Sequence, residues 1–339
     1  MMMESNKPII PNDEVFRYYF YFIQERMKMF WRKCEGKNVL TKDPILREYK
    51  FTNVYRACDR VSQYLLSHVI YHKVETYTSE DMLLRILVFK IFNKIETWEY
   101  IRQTYGEITT KHFDVKQISR LLSERQQYAP IFNNAYMMTG THKRYDYLPT
   151  KHEKWLTMVK EEFLGDGVED EVLHAKSLEE VYHLLRGCSF LGDFLAYQYA
   201  IDLNYSPYFN FDENSFVVAG IGAIRGIQKC FLSHGKTFED AIRYTQHYFT
   251  ELQERYGYTD FKPLDNHKPT LLDLQNCFCE TDKYLRAKMP ELLVGNKRIK
   301  QKYKQSLEPI HYFFPPKWEV KNTNDLCLHP NLQELMISW

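Results

Sequence analysis

The chain has 339 residues, enough to bury a large core either as one domain or as two lobes that share an interface. Its formal net charge is +1, so no global positive field exists and any contact with nucleic acid must come from a local basic patch. With only 13 Gly and 13 Pro and little strict polar/apolar alternation, a sheet-rich fold is excluded and an all-α fold is predicted.

Phe16, Tyr19, Phe20, Ile23, Met27, Phe30 and Trp31 recur at three- and four-residue steps, which predicts a first helix capped by Asn12 or Asp13. The same run carries Arg17, Glu25, Arg26 and Lys28, so it reads neither as a signal peptide nor as a membrane span. A second helix is predicted from about Asn53 to His72, with Val54, Cys58, Val61 and Leu65 facing inward. On it Arg56, Asp59, Arg60 and Gln63 would share the opposite face, where a surface ion-pair ladder is the bland alternative to a pocket. A third helix, from about Ser79 to Tyr105, opens on the capping signal Ser79-Glu80-Asp81.

Residues 106–176 read as shorter helices and loops, and the breaks at Pro149 and Gly165-Asp166-Gly167 mark where two lobes would meet. Helices resume at about 177–187 and 192–203, again at "IGAIRGIQKCF", and at 237–256 and 270–288. Residues 12–288 thus form one two-lobed helical catalytic domain, followed by a Pro-punctuated tail over 289–339. In that tail Lys297, Arg298, Lys300, Lys302 and Lys304 gather with no acid between them, a patch suited to DNA phosphates.

The seven cysteines include no C-x-x-C pair, so neither a zinc ribbon nor a disulfide framework is indicated, and they read as reduced thiols of a cytoplasmic protein. No ligand spacing implies a metal, and no cofactor is expected.

In "RGCSFLGDFLAYQYAID" a turn at Leu191-Gly192-Asp193 lies between two helical runs. A tight glycine-bearing turn can aim backbone N–H groups at a DNA phosphate, although a glycine there is also an ordinary helix boundary. "GDFLA" resembles the second half of the hairpin of DNA glycosylases, while Phe190 stands where the first glycine would be. Twenty residues beyond Gly192 comes Asp212, the spacing of the catalytic aspartate in those enzymes, where a fixed carboxylate would stabilise an oxocarbenium-like sugar. The alternative for Asp212 is a helix cap. Glu280 and Lys283 fall one turn apart in "NCFCETDKYLR" and are ambiguous between site and surface pair.

Five ordered stretches, "DPILREYKFTNVYRACDR", "FKIFNKIETWE", "GDFLAYQYAIDLNY", "VVAGIGAIRGIQ" and "CETDKY", resemble the α-glutamyl/putrescinyl thymine pyrophosphorylase family, the helical domain found with 5-hydroxymethyluracil DNA kinases. That resemblance implies kinship with helix-hairpin-helix DNA glycosylases, two helical lobes around a cleft, and work on hypermodified bases of phage DNA. It makes pocket residues of Asn53, Arg56, Asp59 and Arg60, of Gln198 and Asp202, and of Arg225, and Glu280 and Lys283 are counted as further substrate-binding candidates. Members include amino-acid:DNA transferases and a bacterial defence glycosylase.

The expectation is a monomeric bacterial glycosylase that flips a glucosylated hydroxymethylcytosine from double-stranded DNA and excises it. Asp212 and Asp59 would be the catalytic carboxylates, Tyr197, Tyr205, Tyr208 or Phe209 would stack on base or sugar, and Gly192 would hold the backbone. The alternative is a transferase that builds on phosphorylated 5-hydroxymethyl-pyrimidines. The sequence contains no G-x-x-x-x-G-K-[ST], the loop that cradles a nucleotide's phosphates.

Overall fold

A computed structural model describes residues 7–134, 138–292, 302–303 and 312–320, and these are overwhelmingly helical. Lys297, Arg298, Lys300 and Lys304 of the basic run lie outside the described residues. The all-α expectation holds but for two short antiparallel strands, Ile9–Pro11 and Phe231–His234, with Ile10 opposite Ser233. Contacts divide the chain into two units, one of the described residues through Asp59 together with those from Phe216 on, the other Arg60–Ser215. The junction expected near 106–176 falls inside the second unit.

The first unit is built on the helices Asp13–Cys34 and Leu271–Lys288. Phe16, Tyr19, Phe20, Phe231 and Phe278 form its aromatic centre, with Tyr19 and Phe278 stacked at 4.2 Å and the Tyr19 hydroxyl donating to the Leu274 carbonyl. Much of the 16% aromatic content is therefore core, where large rings bury the most area per residue. Thr270 and Asp273 cap the Leu271–Lys288 helix reciprocally, in the capping-box arrangement.

Helix Ile221–Cys230 crosses this long helix at backbone distance. A β-carbon on Gly226 would overlap the Phe278 carbonyl, and one on Gly222 the Cys279 sulfur, so only glycine permits the approach. Buried Lys229 and Arg286 both reach Asp282 beside this crossing, the lysine at 2.7 Å.

In the second unit the helix Ser79–Phe92 is almost wholly buried and is capped by Thr78, whose hydroxyl accepts from the Asp81 N–H, rather than by Ser79. The single helix expected to Tyr105 is two, because Asn93 adopts φ 46 and a new helix runs Ile95–Thr104. The Asn93 side chain accepts from Lys90 and its carbonyl accepts from Asn133, contacts that hold the left-handed break in place.

The helices Leu178–Gly187 and Asp193–Asn204 fall where the apolar periodicity put them. Cys58, Cys188, Cys230 and Cys277 are buried free thiols and Cys279 is a half-buried one. Among the described residues no helix is long and apolar enough to cross a membrane.

Candidate functional site

The expected helix from Asn53 to His72 does not form as one piece. Arg56–Cys58 is a single 3-10 turn, Asp59 is extended, and helical backbone returns as an α segment at Arg60–Tyr64 and a π segment at Leu65–Ile70. Arg56, Asp59, Arg60 and Gln63 therefore do not share one helical face. The physical reason lies in polar contacts that outcompete helix hydrogen bonds. Asp59 Oδ1 accepts from the backbone N–H of Asn53 at 2.9 Å and from its side-chain amide at 3.2 Å, closing a loop back on itself. The Asn53 amide also donates to the Cys58 carbonyl, and the Arg56 backbone N–H is taken by Asp273 at 2.9 Å.

Around this loop the first unit gathers further charge. Arg26, from the first helix, donates to the Thr52 carbonyl at 3.1 Å and to Asn53 Oδ1 at 2.9 Å. Glu280 accepts from the Thr52 N–H and from Lys283 Nζ at 2.7 Å, and is itself buried. Glu280 and Lys283, a separate pair in the sequence, thus share one neighbourhood with Asn53, Arg56 and Asp59.

Burial is the main influence on its acids. It pushes Asp59 up to about 6, with the Asn53 N–H, Arg26 and Arg56 opposing the rise and Glu280 adding to it. Asp273 is likewise pushed up to about 6 by burial, against hydrogen bonds from Arg56 and Thr270. Burial alone would lower Lys283, but the adjacent Glu280 carboxylate outweighs it and the ammonium is held more firmly charged. Asp59 remains partly open to solvent. A reachable carboxyl that titrates near neutrality beside guanidinium groups can accept a proton while the cations stabilise a departing anion.

Other expected residues lie elsewhere. Arg60 is exposed, 3.8 Å from Glu96. Asp202 is fully buried and forms an ion pair with Lys90 at 3.1 Å, and Gln198 is buried with its Nε2 lacking a hydrogen-bond partner among the described residues. Tyr197, Tyr205 and Phe209 are core rings, whereas Tyr208 is exposed and donates to the Tyr77 carbonyl. Arg225 is half-buried on the helix that carries Gly222 and Gly226. Lys302 is exposed, 3.8 Å from Glu48.

Asp212 is exposed in a turn, where its Oδ1 accepts from the Asn214 N–H at 2.8 Å and its carbonyl from Ser215. It organises that turn and caps no helix.

The hairpin at Gly192 is likewise satisfied from within. Phe190 takes φ 69, in the left-handed region, and its ring stacks on Trp155 at 5.0 Å. The Ser189 N–H and hydroxyl each donate to Glu162 at 2.6 Å, and the Gly192 N–H donates to the Phe190 carbonyl. Asp193, the first helical residue beyond, is held by Arg186 and Tyr182. A phosphate approaching this turn would meet two carboxylates and N–H groups already in use.

Arg26 and Asp273 complete the site but were passed over in the sequence. Arg26 counted only as a charge interrupting an apolar run, and Asp273 is three residues past Thr270, a spacing that signals a cap.

A family model described as the helical domain of 5-hmdU DNA kinase matches residues 13–293. Among curated proteins, the 5-hmdU DNA kinase of Bacillus phage SP10 is 23% identical, over 88% of this chain and 49% of the relative. The chain therefore spans about half the length of that relative. No solved structure matches. A kinase is a transferase, so these matches overturn the expectation of a base-excising hydrolase.

Proposed function

The chain belongs to the family of the helical domain of 5-hmdU DNA kinases, and from that premise we propose that it modifies hydroxymethyl-pyrimidines in DNA, as a transferase acting on the phosphorylated hydroxymethyl group. The observation that carries this reading is the Asp59 neighbourhood, which lies within the matched residues and joins a carboxyl of raised pKa to Arg26 and Arg56. An incoming amine would attack the methylene carbon as the carbon–oxygen bond to the phosphoryl group breaks. The bonding pair leaves on that oxygen, where the charge of Arg26 and Arg56 stabilises it. Asp59, ionised, takes the proton that the amine sheds.

The test offers the protein DNA containing thymine, 5-hydroxymethyluracil or phosphorylated 5-hydroxymethyluracil, together with a mixture of amino acids. Nucleosides are then weighed by mass spectrometry. A nucleoside heavier than 5-hydroxymethyldeoxyuridine by an amino acid less water, formed only from the phosphorylated DNA, is expected. Transfer of the γ-phosphoryl group of ATP to the hydroxymethyl base, or three unchanged nucleosides, would overturn the reading.

A further inference from the structure

In the second unit, away from the residues used above, Arg85 is a buried cation of unusual state. Its side chain is 0% exposed, its guanidinium lies over the Tyr77 ring at 3.9 Å and near Trp98, and Nη1 donates to Glu107 at 2.6 Å. Nε and Nη2 are buried and have no hydrogen-bond partner among the described residues, and the same is true of Trp98 Nε1. Arg102 reaches Glu107 at 3.1 Å, and the Tyr77 hydroxyl donates to it at 2.9 Å. His72 and Lys73 add basic groups to the surroundings, and Glu99 is 3.6 Å from Arg102 on the far side.

A salt bridge that only tethered the loop would need one guanidinium and would not leave two donors buried and unpaired. Two arginines and a phenol converging on one point are instead the donor set that matches a tetrahedral oxyanion, which offers more acceptor oxygens than a carboxylate and carries more charge. Glu107 brings only two oxygens and a single charge, and its side chain is 43% exposed. It follows Gly106, which sits at φ 104, a conformation that glycine adopts without strain. We propose that Arg85, Arg102 and Tyr77 form a phosphoryl-binding seat that Glu107 fills from within as a displaceable internal anion. The seat needs nothing from the chemistry proposed for Asp59. The ionisation of Glu107 agrees with it: burial would raise its pKa, but Arg85, Arg102 and Tyr77 bring it down to about 2, so it competes as a full anion at neutral pH.

The experiment titrates inorganic phosphate into the full chain and follows thermal midpoint and phosphorus NMR linewidth, with sodium chloride at matched ionic strength as the blank. The wild type should respond weakly and saturably. Glu107→Gln, which removes the competing charge, should half-saturate at roughly tenfold lower phosphate. Arg102→Gln should abolish the response in both backgrounds. Should Glu107→Gln fail to fold by circular dichroism, Glu107→Asp withdraws the carboxylate by one methylene and should also bind more tightly than wild type. Adding short unmodified duplex DNA to phosphate-saturated Glu107→Gln then separates two sources of the same chemistry. Retention identifies a terminal phosphoryl group, with its third free oxygen and second charge, and supports the seat; displacement by the diester, which offers two free oxygens and one charge as Glu107 does, overturns that match. Equal phosphate affinity in wild type and both Glu107 variants, or a response that survives Arg102→Gln, overturns it.

Discussion

Asp59 and Glu107 are both carboxylates beside arginine, one in each unit, and they ionise in opposite directions. Asp59 is pushed up to about 6 and Glu107 is drawn down to about 2. Asp59 loses water and has the repulsion of Glu280 added, which the N–H of Asn53 and the nearby guanidinium groups do not offset. Glu107 keeps solvent on one side and receives two guanidinium groups and a hydroxyl directly. An adjacent arginine therefore says little about what an acid does. The balance between desolvation and direct donors makes one a proton acceptor near neutrality and the other a firmly charged plug.

The largest effect expected is on turnover. Asp59→Asn should slow transfer by roughly 10²–10⁴-fold while leaving thermal stability at neutral pH unchanged or slightly raised, because a desolvated charge is removed. Turnover per folded molecule at the wild-type rate would reduce Asp59 to a brace for Asn53 and end the contrast with Glu107.

A third acid sharpens the comparison. Asp202 is sealed with Lys90 and has no exposed surface, so Asp202→Asn should leave a buried ammonium without its counter-charge and cost about 3–5 kcal/mol in denaturant unfolding. A change under about 1 kcal/mol would place that pair with ordinary surface bridges.

Stability against pH separates the two acids by sign. The raised pKa values of Asp59 and Asp273 mean that their contribution is full below the ordinary aspartate value of 3.8 and is lost as pH rises through about 6. The depressed value of Glu107 acts the other way, present above the usual 4.5 and lost as pH falls through about 2. Melting scans should show both limbs, with Asp59→Asn shrinking the first and Glu107→Gln the second. The smallest expected effect is that of Glu280→Gln, which removes a charge that raises Asp59 and so should move the acid limb of the activity profile to lower pH. An unmoved limb would show that Asp59 does not set it.

Periodicity made legible those elements whose neighbours are their own faces. Asp13–Cys34, Leu178–Gly187, Asp193–Asn204 and Leu271–Lys288 all lie within a residue or two of where their apolar spacing placed them. What failed were runs whose backbone is held from a distance. The Asn53–Asp59 loop looks helical by spacing, but its partners Arg26 and Asp273 are far off in sequence, and no local pattern announces them. The break at Asn93 is held in part by Asn133, which a helical window does not reach. The site was legible as residue types, and its assembly was not. Resemblance picked out Asn53, Arg56 and Asp59 together, while the ionisation that makes Asp59 interesting depends on burial, which spacing does not encode.

Where the Ile221–Cys230 helix crosses the long helix that carries Asp273, Glu280 and Lys283, Gly222 lies on the Cys279 side chain and Gly226 lies directly on the Phe278 backbone, with no side chain between. Side chains can re-pack by changing rotamer, but two backbones in contact have no such slack, so the long helix can neither roll nor slide against this neighbour without unpacking. Asp273 and Glu280 consequently behave as teeth cut on one bar: a substitution that shifts the crossing moves both together and alters the Arg56 and Thr52 contacts at once. The 52–59 loop meets that bar through two backbone N–H groups, those of Thr52 and Arg56, so the loop's own course sets the fine adjustment of this site.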